Sequence, residues 1–282
     1  MPDDVDDGRL LQSWIAMAKE ARELWIPRRV PTVDTRDLTP LAFQRKFVGP
    51  NTPVLIRGGC RHWPAFDRWT NSYLLERMGS SQLTVALTPD GHGDCPVGGR
   101  FVLPHEERMD LAAFFETLRD PSGNAVPYIQ KQCNSLDEEF GQLRDDIAEL
   151  EIGKTVFEHL DATNLWIGDE RAVSATHSDP YENLYCVVAG SFSIIKRPGT
   201  VPWISVDPSD RRQFPLYEYA SPLEVEVQAG DVLYLPALWY HRVSQSADLE
   251  GRTIAVNFWY DMQFDSRYTW MRFQESLVAN GC

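Results

Sequence analysis

From residue 160 onward the chain falls into seven short runs of strand length, at 162–167, 182–188, 191–195, 223–227, 232–235, 241–245 and 254–260, nearly all separated by Gly, Pro or Asp turn signals. Runs of this length and spacing predict a sandwich or barrel, and a jelly roll is the version that leaves few open sheet edges. The first half reads as mixed. Apolar residues at helical spacing predict a helix over 9–25 that stops at Pro27, further helices over 69–78 and 110–118, and short strands at 53–57, 83–87 and 127–130. A last helix is expected over 266–278, suited to packing on the domain or to a homodimer contact. The expected architecture is mainly β with flanking helices, as one domain over 1–282. It divides into an N-terminal helix at 1–30, a mixed α/β elaboration at 31–160, a jelly-roll core at 161–262 and a C-terminal helix at 263–282.

With 282 residues, 43% hydrophobic and 11% aromatic, the chain can bury a large core and has no long segment too polar to fold. Its longest apolar runs, at 184–190 and 232–240, are much shorter than a bilayer span, and the acidic start MPDDVDDGR lacks the basic flank of a secretion signal. A cytoplasmic location is expected, with the nucleus as the alternative. The five cysteines show no CxxC or zinc-finger spacing and are expected to be reduced. A formal charge of −14 disfavours direct binding of nucleic acid, which needs a basic stripe, and suits a cationic partner.

The chemistry is concentrated in two segments. SATHSDPYENLYCVVAG places His177 and Asp179 two apart at the start of a strand, where alternation puts both on one face and Ser178 on the other. HxD alone is a weak signal. The downstream AGDVLYLPALWYHRV supplies His241 directly after an apolar strand and its turn. Two imidazoles and one carboxylate on one face of an octahedron are the donor set of non-haem Fe(II) oxygenases, with positions left for a bidentate 2-oxo acid and O2. The remaining histidines, His62, His92, His105 and His159, are read as structural or exposed, except that the DGHGD loop could bring His92 over the site. Asp90 and Asp94 of the same loop could attract a substrate ammonium.

THSDPYENLYCVVAG, AGDVLYLPALWYHRV and TIAVNFWYD, with VALTPDG and YIQKQCN upstream, resemble the JmjC domain of 2-oxoglutarate oxygenases. Within that family the chain is most similar to the small cytosolic proteins described as bifunctional peptidase and (3S)-lysyl hydroxylases. The resemblance covers most of the chain. It implies a double-stranded β-helix of cupin type; Fe(II), 2-oxoglutarate and O2 as reactants; and hydroxylation of a lysine in a protein, the group's reported substrates being developmentally regulated GTP-binding proteins. Carried onto this sequence, it assigns His177, Asp179 and His241 to iron. It sets Asn183 and Asn257 near the metal-bound end of 2-oxoglutarate, with Tyr185 on the same strand face as Asn183, Tyr128 and Ser174 at the distal carboxylate, and Trp259 in the pocket wall.

Two departures adjoin one another. The family places a lysine on the distal carboxylate two residues after the glycine matching Gly190, and here that residue is Phe192. The nearest cation on the same strand face is Lys196, whose Cα is about 13 Å further along a strand. A lysine side chain does not span that unaided, so either the strand shifts register or bulges to bring Lys196 in, or Arg197 or another basic group substitutes, or co-substrate binding is weakened. The connection at 198–203 is also shorter than in the relatives. Four readings follow: a lysyl hydroxylase, a degenerate module that binds without turnover, a histone lysine demethylase and a peptidase. The peptidase is the weakest on sequence, with no HExxH motif. The demethylase lacks zinc-finger or chromatin-reader cysteines.

Overall fold

The computed structural model describes residues 4–97, 100–120, 125–197, 203–204, 212 and 215–279. The chain begins with α1 (Asp4–Leu24), which ends ahead of Pro27. β1 (Thr32–Asp34) and β2 (Val54–Arg57) bracket α2 (Pro40–Phe43), which starts where the Thr39 hydroxyl accepts the Ala42 amide and Pro40 presets φ. α3 (Pro64–Arg68) and α4 (Asn71–Met78) follow, the second capped by Thr70. β3 (Leu83–Thr88), β4 (His92–Gly93), the hairpin of β5 (Cys95–Val97) and β6 (Arg100–Val102), and β7 (His105–Met109) then lead to α5 (Leu111–Arg119), whose Ala113 amide is capped by Asp110. β8 (Val126–Tyr128), α6 (Ser135–Glu139) and α7 (Glu151–Val156) complete the first half. The second half runs through β9 (Leu160–Gly168), β10 (Val173–His177), β11 (Tyr181–Ala189), β12 (Ser191–Arg197), β13 (Trp203–Ile204), β14 (Leu223–Gln228), β15 (Val232–Leu235), β16 (Tyr240–Ser246) and β17 (Thr253–Asp261). It closes with α8 (Ser266–Ala279).

The strands form a jelly-roll sandwich. One sheet has the order β1-β2-β15-β11-β17-β9, and the other has β13-β10-β16-β12-β14 with β4 alongside β10. β11 explains the apolar run of its sequence, because both of its faces are covered. Leu184, Cys186 and Val188 pack outward against the helices, with Phe43, Trp63, Leu74 and Phe114, while Tyr185 and Val187 pack between the sheets. β14 has one covered face and alternates accordingly, with Leu223, Val225 and Val227 buried and Glu224, Glu226 and Gln228 exposed. Each fully buried Leu, Val or Phe contributes about 1.5–3 kcal/mol, so a one-residue slip, which would turn these faces over, is strongly opposed. The space between the sheets is apolar around Phe192, Val227 and Leu233 and turns polar towards Asn183 and Asn257.

Several elements differ from the sequence reading. β1 and β2 come from the mixed first half yet lie in the same sheet as the later strands, since Ile56 pairs with Val232 and Leu55 with Leu233. The helix expected over 69–78 starts at Asn71, because Trp69 closes α3 and sends its indole N–H to Asp146 (3.0 Å), which also binds Arg68 and Tyr73. β10 and β4–β7 were not expected; their polar residues mask the period-two signal. Cys60, Cys95, Cys133 and Cys186 are unpaired thiols, and Cys282 lies outside the described residues. Among the described residues no helix is long and apolar enough to cross a membrane.

Candidate metal centre

His177 is the last residue of β10 and pairs in register with His241 on β16. The two imidazoles stand 4.2 Å apart, with Nε2 of His177 3.5 Å and Nε2 of His241 3.6 Å from Oδ2 of Asp179. One ligand atom from each residue lies within 4.8 Å of the others. The route to this geometry corrects the sequence argument: the strand ends at His177, so Asp179 reaches the histidines from the turn before β11 and not by strand alternation. That turn is held by the Leu238 amide, which donates to the Asp179 carbonyl at 2.8 Å from a left-handed residue (φ 67°). The loop carrying Leu238 is itself fixed by Glu182, whose Oε2 accepts the Tyr234 hydroxyl (2.6 Å) and the Ala237 amide (3.2 Å).

Both imidazoles have a defined tautomer. Nδ1 of His177 lies 2.7 Å from the Ala175 carbonyl and Nδ1 of His241 lies 3.0 Å from that of Trp239, so each Nδ1–H donates to a backbone acceptor and Nε2 carries the lone pair. Burial alone would lower the His177 pKa, but the charge and hydrogen bond of Asp179, the Ala175 carbonyl and Asp94 raise it above its usual value. Burial likewise pushes Asp179 up, and the two histidines overcome it and hold the carboxyl low. This is a cluster that favours a cation at its centre, whether a proton or a metal, and the neutral-imidazole and carboxylate donors fit a divalent first-row ion.

The triad opens into a pocket between the sheets that is also lined by Tyr128, Ser174, Asn183, Tyr185, Asn257 and Trp259. Its amides are chained: the Trp166 indole donates to Asn257 (2.8 Å), which donates to Asn183 (3.3 Å). Tyr128 and Ser174 face this pocket together. Trp259 stacks on Tyr181 at 4.8 Å, and its buried Nε1 has no protein partner, which leaves a donor for a ligand. Lys196 is placed by its backbone alone, opposite His241; its side chain, that of Arg197 and the connection 198–202 lie outside the description.

Sequence reasoning overlooked Trp166, Gln130, Gln132, Ile194, Leu235 and Val243, which also line the pocket. Period two offered a signal for some of them, since Gln130 and Gln132 follow Tyr128 at two-residue steps. From the DGHGD loop Gly93 and Asp94 line the pocket, whereas His92 is exposed and turns its Nδ1 to Asp90. Asp94 has a left-handed backbone (φ 51°), accepts a bond from Gln130 (3.1 Å), and has its carboxyl raised by burial. His62, His92, His105 and His159 are all exposed. Three of them do meet carboxylates, His92 with Asp90, His105 with Glu107, and His159 with Asp261 in an exposed group that also includes Asp161.

A family model described as Cupin-like domain matches residues 40–195 and 192–266. The chain is 38% identical to the human bifunctional peptidase and (3S)-lysyl hydroxylase JMJD7, over 92% of each chain. It is 32% identical to the lysine-specific demethylase JMJ32 of Arabidopsis thaliana, over 92% of this chain and 90% of the relative. Identity to the JmjC domain-containing protein E of Dictyostelium discoideum is 30%, over 91% of each. The human alignment runs to 300 positions against the 282 residues here, so that relative carries residues this chain lacks. The family match divides into its two pieces at 192–195, within β12.

Proposed function

The chain belongs to the cupin-like JmjC family, and on that premise we propose that it is an Fe(II)- and 2-oxoglutarate-dependent dioxygenase that hydroxylates a lysine side chain of a protein. The observation that carries this reading is the convergence of His177, Asp179 and His241 at the polar end of the sandwich. Iron held there would supply oxidation of the 2-oxo acid by O2, coupled to oxygen insertion into a C–H bond.

The work of the residues is positioning. The carbonyls of Ala175 and Trp239 hold the two Nδ1–H groups, so the Nε2 lone pairs would be free to hold the ion, and Asp179 would offset its charge. The Trp166–Asn257–Asn183 chain fixes amide groups that would meet the near end of a bound oxo acid, and the Tyr128 and Ser174 hydroxyls would meet its other end. Trp259, stacked on Tyr181, gives the pocket a flat wall, and Asp94 in the lining would attract the ammonium of an incoming lysine.

The substrate class follows the hydroxylase named in the human relative. A developmentally regulated GTP-binding protein, met in the cytoplasm or nucleus, is the proposed target, and α8 the proposed homodimer contact. The name of the Arabidopsis relative supports demethylation as a second reading. Mass spectrometry of the lysine after incubation with iron and 2-oxoglutarate separates the two: gain of one oxygen atom supports hydroxylation, and loss of methyl groups from a methylated lysine supports demethylation. A protein that binds iron but forms no succinate in the presence of substrate would instead be a binding module. Cleavage of the substrate chain without lysine oxidation would favour a peptidase.

A further inference from the structure

We propose that the oxo-acid pocket of this chain accepts 2-oxo acids with a neutral side arm, such as 2-oxovalerate, at least as well as the dicarboxylate 2-oxoglutarate. The inference rests on the reading of the site as a 2-oxo acid pocket beside a metal, and concerns the end of the pocket far from the ligands.

Ser174, Val243 and Ile194 stand in one register row across β10, β16 and β12 and line that end. The row lies two residues, or about 7 Å along a strand, from His241, which is where the side arm of a chelated oxo acid would lie. Tyr128, Tyr185 and Trp166 also line the pocket. One step deeper on β12, Phe192 is fully buried with its ring 5.3 Å from Tyr185, and faces Gln245 across the sheet. The Gln245 amide is already engaged, donating to the Ala172 carbonyl (3.1 Å) and accepting the Thr253 hydroxyl.

Among the described residues, the hydroxyls offered to a side arm here are those of Tyr128, Ser174 and Tyr185. Burial raises the Tyr128 and Tyr185 phenols far above their usual values, so both are neutral donors. Among the described residues no lysine or arginine lines the pocket. A carboxylate taken from water into such a place keeps its desolvation cost and meets hydroxyl donors but, among the described residues, no countercharge. A propyl arm has no such cost and meets Ile194, Val243 and aromatic rings. The backbone of Lys196 sits in the row of His241, on the metal side of this wall.

The test uses the purified full chain loaded anaerobically with Fe(II), reading the visible charge-transfer absorption produced when a 2-oxo acid chelates the ion. The expected result is a Kd for 2-oxovalerate equal to or below that for 2-oxoglutarate. Phe192→Lys, which brings a cation to the far end, is expected to favour 2-oxoglutarate by about tenfold or more. If that variant does not fold, the wild-type comparison decides alone. A wild-type preference for 2-oxoglutarate of about tenfold or more overturns the inference and leaves the oxygenase reading intact; its loss in Lys196→Met would locate the cation. Iron binding with no absorption from either acid overturns both.

Discussion

Gly168→Ala tests whether the pocket has the close packing described. A Cβ at this position would stand 2.6 Å from Cδ2 and 3.0 Å from Cε2 of Tyr128, and 3.0 Å from Nε2 of Gln245, where ordinary contact begins at 3.4 Å. The Tyr128 ring must therefore retreat by about 0.8 Å. Neither side yields readily. Gly168 is paired with Thr253 in the sheet and its carbonyl accepts the Thr253 hydroxyl at 3.1 Å, while the tyrosine is only 7% exposed and sits beside Trp166. Overpacking of this kind costs about 1–3 kcal/mol. That loss is read as a urea midpoint lower by up to about 1 M at unchanged slope. Oxo-acid binding by the iron-loaded protein should weaken alongside. Gly141→Ala is the control, since nothing lies within 4 Å of its Cβ, and it should be neutral or stabilising by up to about 1 kcal/mol. A Gly168→Ala variant as stable as the wild type, with unchanged oxo-acid affinity, would refute the packing argument.

Gly153→Ala aims a Cβ at the Tyr260 hydroxyl on the opposite face of the sheet, so it should lower stability by about 1–3 kcal/mol while leaving iron affinity unchanged in a direct titration. Asp146→Ala strands the buried Trp69 indole and removes the Tyr73 partner, for a loss of about 2–4 kcal/mol, with the exposed Arg68 adding little. Burial raises the Asp146 carboxyl, but its hydrogen bonds win and hold it low, so this stability is complete above the unfolded-state pKa and disappears as pH falls through the folded one; melting curves of the two proteins should converge in acid. Glu182 has the opposite sign: burial raises its pKa, so wild-type stability falls as pH rises from the unfolded-state value through the folded one. Glu182→Gln keeps an oxygen for Tyr234 and Ala237 without the buried charge, and should equal or exceed the wild type in denaturant titrations above neutral pH.

The strands of the second half were legible because burial decides their pattern. β14 alternates since one of its faces is covered, and β11 is continuously apolar since both are. His177, Asp179 and His241 could be nominated from residue type and spacing, but Asp179 arrives through a turn whose position depends on a contact with Leu238, distant in sequence, and local periodicity holds no trace of that. β10 was missed for a related reason: Val173, Ser174 and Ala175 are half-buried beside a pocket, so neither face reads as core. Gly168 lies just past the strand expected at 162–167, and only the fold brings Tyr128 against it. The resemblance supplied Tyr128, Ser174 and Asn257, which composition and spacing would have left as packed β residues.

The most direct test of the account is anaerobic titration of Fe(II) into the wild type and into His177→Ala, Asp179→Ala, His241→Ala and His159→Ala. The account predicts one tightly held ion per chain in the wild type, an affinity at least about tenfold weaker in each of the first three variants, and no change on loss of His159, whose group with Asp161 and Asp261 is fully exposed where the triad is partly to fully buried. Tight stoichiometric binding that survives the removal of His177, Asp179 or His241 would contradict it.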